Sequence, residues 1–300
     1  MNAPRTIAEY LDQLRQALQG ADPALVQDAL YDAEEHLRAE LADQPTRSEA
    51  DMLAHVVGSY GAPDEVAELY RDQEIKIQRA LRPPPPLQHR SLAGRFFGVA
   101  ADPHTYGAMF YMLLALATGI FYFVWAVTGT ALSFGLSILI VGIPFIVLFL
   151  GTVRALSLLE GRIVEVMLGV RMPRRPPYPT QGLSLMKRIG VMFTDARTWS
   201  TLFYMVVMLP LGIIYFTITV TLLSLSVGFI GAPFVKAFTG YDVINMDRDG
   251  VIYHGPGWAG DIGLCLLGIV LLFATLHLVR AIGKLHGQIA KHLLVRSTDG

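Results

Sequence analysis

From residue 101 onward the chain carries apolar runs that water cannot hold open. Four of them, near Tyr106 to Val127, Leu132 to Val153, Thr201 to Leu223 and Ile262 to Val279, reach or approach the roughly 20 residues that cross a hydrocarbon core. In hydrocarbon every backbone amide and carbonyl must find its partner within the segment, which restricts such runs to helices. A fifth apolar piece, Val227 to Phe238, is short and holds Gly231, Pro233 and Lys236, so it is expected to re-enter or lie at the interface. Residues 1–80 differ. They hold 16 acidic and 7 basic side chains, net −9, whereas the remainder holds 9 and 17, net +8. An acidic soluble head attached to a basic membrane part argues against direct nucleic-acid binding, which needs concentrated Lys and Arg.

The membrane half repeats itself. Asp102-Pro103-His104-Thr105-Tyr106 returns as Asp195-Ala196-Arg197-Thr198-Trp199, Phe110-Tyr111-Met112 as Phe203-Tyr204-Met205, and Gly119 to Phe123 as Gly212 to Phe216, all at an offset of 93 positions. Further on, Gly142-Ile143-Pro144-Phe145 answers to Gly231-Ala232-Pro233-Phe234, and Val153-Arg154-Ala155 to Val279-Arg280-Ala281. A duplicated unit in an apolar chain points to two related hairpins, residues 95–171 and 188–296. Asp102 and Asp195 stand just before spans and suit helix caps, while Arg154 and Arg280 suit anchors at the cytoplasmic ends of returning helices. An Asp-to-Arg pairing across the repeat is the second reading of these four.

The head, residues 1–81, reads as four amphipathic helices. Thr6 with Glu9 forms a capping box ahead of Ile7, Tyr10, Leu11, Leu14 and Leu18; Asp22-Pro23 starts a second helix; Thr46 with Glu49 suggests a box for a third; Pro63-Asp64-Glu65 opens a fourth. Residues 82–94 form a linker in which Pro83 to Pro86 favour an extended rod. Residues 95–298 are the membrane part. Arg90, Arg95, Arg154, Arg162, Arg171, Arg174, Arg175, Lys187, Arg188, Arg197, Arg280, Lys284 and Lys291 fall on one side of the spans, and Lys236 and Arg248 on the other. Lys and Arg favour the cytoplasmic face, so both termini are expected there, in a multi-pass protein of the inner membrane. Arg5, Glu9 and Asp12 interrupt any apolar stretch at the amino terminus, as expected of a head that stays in the cytoplasm. Ala155 to Gly169 and Ala281 to Leu294 read as amphipathic surface helices.

The first hairpin is expected to turn outside near Gly129 to Ala131, whereas the second inserts Tyr241 to Trp258. There Val243-Ile244 and Val251-Ile252-Tyr253 flank Asp249-Gly250, the pattern of a small extracytoplasmic β-hairpin. Asp242, Asp247, Asp249 and Trp258 make this insert the candidate input site, although it lacks the spacing of a calcium loop. Asp32, Glu34, Glu35 and His36 cluster on the second helix as a candidate partner-docking face. The eight histidines show no metal-ligand spacing, and neither a phosphate loop nor a nucleophile elbow is present. No catalytic residue, metal or cofactor is therefore expected. The fold class is all-α: a helical head and a four-span bundle of two hairpins.

Asp195 to Trp199, Leu209-Pro210-Leu211-Gly212, Tyr215-Phe216, Thr221 to Leu225, Arg280-Ala281 and Leu285-His286-Gly287 resemble the Putative sensor domain of actinobacterial membrane proteins, over about residues 95–296. Tyr10 to Leu14, Glu34 to Leu37 and Tyr60 to Ala67 are similar to the HAAS signalling domain, over residues 7–73. The first resemblance implies sensing, often ahead of a kinase, but no kinase module follows Leu294. The second implies coupling to a transcription regulator of the PadR type. The expected function is signal relay from the membrane or outer loop to such a regulator, with self-association left open. The alternative is a permease or export accessory, disfavoured by how few polar groups the spans carry.

Overall fold

A computed structural model describes residues 3–44, 47–81, 91–138, 142–175, 190, 194–240, 246–248, 251–253 and 257–295. The head helices are α1 (Ile7–Ala17), α2 (Pro23–Asp43), α3 (Glu49–Ser59) and α4 (Pro63–Leu81). Their starts follow local chemistry: the Thr6 hydroxyl accepts from the Glu9 amide at 3.1 Å, and Asp22 accepts from the Ala24 amide at 2.9 Å ahead of Pro23. Thr46 of the expected box lies outside the described residues, and the N-cap of α3 falls at residue 48. Ser48 takes that role, accepting from the Asp51 amide, and Glu49 reaches across to the Ile7 amide at 2.6 Å. Tyr10, Leu14, Leu18, Leu37, Met52, Leu53 and Val56 close a core of the head's own.

Beyond the head come α5 (Leu92–Phe97), α6 (Pro103–Leu136), α7 (Gly142–Leu168), α8 (Ala196–Thr239) and α9 (Gly257–Leu294). Among the described residues, α6 to α9 are four helices long and apolar enough to cross a membrane. Phe110, Val124, Leu148, Phe203, Val227 and Leu266 stand exposed on them, a cost in water and none in a bilayer.

The helix ends depart from the sequence expectations in three places. The α6 helix runs through Gly129 to Leu136, so the first hairpin does not turn at Gly129 to Ala131 and α7 begins at Gly142 instead of Leu132. Gly129 is a packing glycine: a Cβ there would stand 2.0 Å from the Phe149 ring. The piece Val227 to Phe238 is no separate re-entrant segment but the end of α8, which passes through Pro210 and Pro233 unbroken. The stretches Ala155 to Leu168 and Ala281 to Leu294 continue α7 and α9. Hydropathy falls where a helix leaves the apolar phase, which is not where its backbone hydrogen bonding ends.

The chain forms two compact units. One comprises Met1–Arg82, Val124–Val206 and His286–Gly300; the other comprises Pro83–Phe123 and Val207–Leu285. In the second unit α6 and α8 meet backbone to backbone. A Cβ on Gly119 would lie 2.5 Å from the Met208 carbonyl oxygen, and one on Gly212 would lie 2.2 Å from that of Ala115. Residue 119 meets 208 and residue 212 meets 115, a close approach that small residues alone permit. Asp102 caps α6 through the His104 amide at 3.0 Å, and its other oxygen pairs with Arg280 at 2.5 Å. His277 bonds the Phe96 carbonyl at 3.0 Å and stacks on its ring, tying α5 to α9. Between α8 and α9, β1 (Met246–Arg248) pairs antiparallel with β2 (Val251–Tyr253), Arg248 opposite Val251. In the first unit, Asp195 caps α8 through the Arg197 amide at 3.1 Å and pairs with Arg154 at 3.5 Å.

Candidate functional site

The bipolar charge of the sequence is resolved inside the first unit, where acidic side chains of the head meet basic ones around the ends of the apolar helices. Gly169, at φ +69°, ends α7 in the left-handed conformation that glycine adopts without strain, and Arg171 to Arg175 follow. Gly287 lets this segment close on α9, since a Cβ there would fall 2.5 Å from the Val170 side chain. Met172 is buried against Gly161.

Arg171 is 6% exposed. Its guanidinium meets Asp28 of α2 at 3.1 Å, Glu74 of α4 at 3.1 Å and Glu165 of α7 at 3.4 Å, and it donates to the Met172 carbonyl. Asp28 completes the junction with its second oxygen, accepting from the backbone amides of Arg174 at 2.7 Å and Arg175 at 2.8 Å. Gln27 donates to the Arg175 carbonyl at 2.6 Å and accepts from Arg197 at 2.5 Å. Lys291 of α9 pairs with Asp22 at 2.5 Å. Three places around the membrane helices, after α7, in the first turn of α8 and at the end of α9, thus grip one face of the head.

Burial sets the electrostatics. It raises the Asp28 pKa, and the Arg174 and Arg175 amides and the Arg171 charge oppose the rise without cancelling it. For Arg171 burial works against the cation, yet Asp28, Glu74 and Glu165 together lift its pKa above the ordinary value. A cluster of three carboxylates and few cations stays together only while each partner is present, because a lone buried charge is costly. Such a junction, called the latch, depends on every one of its partners.

The expected docking residues do not form one open patch. Asp32 is taken up by the latch, pairing with Arg175 at 2.7 Å and accepting from the Tyr70 hydroxyl at 2.9 Å. Glu34 pairs with Arg38 one turn on, Glu35 is also engaged within the chain, and His36 stacks on Tyr60 with centroids 4.4 Å apart. Of the expected input residues, Asp242 and Asp249 lie outside the described residues, and Asp247 is placed by its backbone in β1. Trp258 is exposed, with the Lys236 ammonium 5.6 Å from its ring centroid; Lys236 also pairs with buried Asp261 at 3.1 Å. Sequence reasoning missed Gln27, Asp28, Glu74, Glu165 and Arg171. The signals were there: Asp28 and Asp32 one turn apart on α2, and three arginines within five residues after Gly169.

A buried polar triad lies in the same unit. The Tyr204 hydroxyl donates to Glu160 at 2.9 Å and stands 3.1 Å from His286 Nε2, all three side chains nearly inaccessible.

The HAAS family matches residues 9–68, within α1 to α4, and the Putative sensor family matches residues 111–294, well over half of the chain. No curated protein and no solved structure matches it. With its four apolar helices and helical head, a combination that fits a membrane sensor, the chain belongs to the Putative sensor family.

Proposed function

We propose that this protein is a non-catalytic signal relay of the inner membrane, in which the latch holds the head until a cue at the membrane or the outer insert releases it to a cytoplasmic regulator of the PadR type. The observation that carries the reading is Arg171, buried between two head carboxylates and one membrane-helix carboxylate. A junction meant only to be permanent is better built from apolar side chains, whereas a buried ionic one costs desolvation and earns specificity and a sharp release. The charge asymmetry supports a cytoplasmic head and termini and an external insert between α8 and α9. Duplication of a hairpin is part of the proposal. Supporting it, Tyr111 and Tyr204, Met112 and Met205, and Tyr122 and Tyr215, each pair 93 residues apart, are all buried. Asp102 pairs with Arg280 and Asp195 with Arg154, each Asp with the Arg of the other repeat.

The test is a covalent lock. In a Cys265→Ala background, Asp28→Cys with Arg174→Cys should join the head to the segment after α7, since the Asp28 carboxylate already touches the Arg174 amide. Regulator captured from cytoplasmic extract by membranes should fall on oxidation and return on reduction. Equal capture in both states refutes head release.

A further inference from the structure

Within the first unit, the end of α6, the start of α7 and the first turns of α8 enclose a cavity of about 170 Å³ lined by Ser133, Phe134, Phe149, Leu150, Thr198 and Trp199, among others. Its walls are almost wholly apolar, yet of the four hydroxyl side chains among them, Thr130, Ser133, Ser137 and Thr198, two stand apart. The hydroxyls of Ser133, 9% exposed, and Thr198, 4% exposed, are buried without a hydrogen-bond partner. Elsewhere in these helices hydroxyls fold back onto a carbonyl one turn earlier, as Thr118, Ser226 and Thr275 do. Ser133 and Thr198 forgo that bond, and a hydroxyl is both donor and acceptor, so each is free to serve a guest.

We infer that this cavity binds a small phenol-class molecule, an aromatic ring carrying one hydroxyl, drawn from the hydrocarbon phase. Size supports it, because an engineered apolar cavity of about 150 Å³ accepts benzene. So does the lining: Phe149, Phe134 and Trp199 offer ring faces and edges to an aromatic guest. The rim supports the route, since Phe134 and Trp199 are 67% and 48% exposed, an apolar mouth on a membrane helix. A lipid tail fits less well, because its methyl end leaves both hydroxyls unpaired and its length exceeds the space. The inference rests on the sensing reading only in naming the class of cue; binding is measurable without it.

The test uses the full chain in detergent with Trp125→Phe and Trp258→Phe, leaving Trp199 as the lone tryptophan of three. Titration with 4-bromophenol, a heavy-atom quencher, should quench Trp199 saturably. Replacing both hydroxyls (Ser133→Ala with Thr198→Val) should weaken 4-bromophenol about tenfold and leave bromobenzene unchanged. Ser133→Phe, which fills the space, should abolish saturation while circular dichroism stays helical. Quenching that rises without saturation, or that survives the filled cavity, or equal affinity for the two probes in the unmodified site, overturns the inference. Protease cutting near Pro83 to Pro86 in the same samples reports head release. Saturable quenching with an uncut head supports the site and sinks the relay; cutting without saturable quenching sinks the site and leaves the relay.

Discussion

Arg171 decides the fate of the junction at the scale of one residue. With 6% exposure and three carboxylates around it, its replacement by Gln leaves charges buried without a counter-ion, a loss on the order of 3–5 kcal/mol. That exceeds what a surface pair contributes, so protease cutting of the linker after Arg82 should rise steeply in Arg171→Gln and hardly at all in Arg38→Ala, whose pair with Glu34 is exposed. Arg171→Lys should fall between them, because an ammonium cannot present the guanidinium fork to three acceptors. Asp28 adds a pH signature. Its pKa is raised by burial above the ordinary 3.8, so the folded protein binds more protons than the unfolded chain between 3.8 and the raised value. The stability it contributes is fully present below 3.8 and is lost as pH rises through the folded value. Thermal scans across the acid range should therefore show the native protein losing stability with rising pH relative to Asp28→Asn. A constant difference between the two removes Asp28 as the titrating group.

Among the elements, the α6 and α8 contact is the least tolerant. Gly212→Leu would drive a side chain into the Ala115 carbonyl, 2.2 Å from where its Cβ must stand, and Gly119→Leu would do the same against Met208. Neither obstacle is a flexible side chain, so each substitution should cost upward of about 1–3 kcal/mol and reduce the folded yield in membranes. Gly231→Leu, in the same helix as Gly212 but with no atom within 4 Å of its Cβ, is the control that should stay near the native yield. This is also where the sequence was partly legible. Periodicity and caps located all four head helices, and hydropathy located the four apolar ones, because both signals are local. Gly129 misled because a glycine that bends a chain and one that admits Phe149 look alike until the partner is known. The Arg171 junction joins residues 97 and 143 positions apart, and no local signal carries such a contact. What the sequence did contain was the imbalance of charge between head and membrane part, which required a meeting place without naming it.

For the whole molecule the first question is whether the head stands alone. Its core closes among Tyr10, Leu14, Leu37, Met52 and Leu53 without help from the apolar helices, so a fragment ending at Arg82 should be soluble and helical. Leu14→Asp buries a charge at a fully inaccessible position, costs several kcal/mol and should leave that fragment unfolded by circular dichroism. The second question is orientation. Arg90 and Arg95 precede α6 and Lys187 and Arg188 precede α8, so positive charge enters both helices from the same side. Insertion is governed by flanking Lys and Arg, so that side should be the cytoplasmic one. Reporter fusions after Ala80 and after Gly182 should then be cytoplasmic and one within residues 245–250 external. A cytoplasmic signal from that last fusion would place the insert on the regulator's side of the membrane, and with it would go the reading of the insert as the receiver of an outside cue.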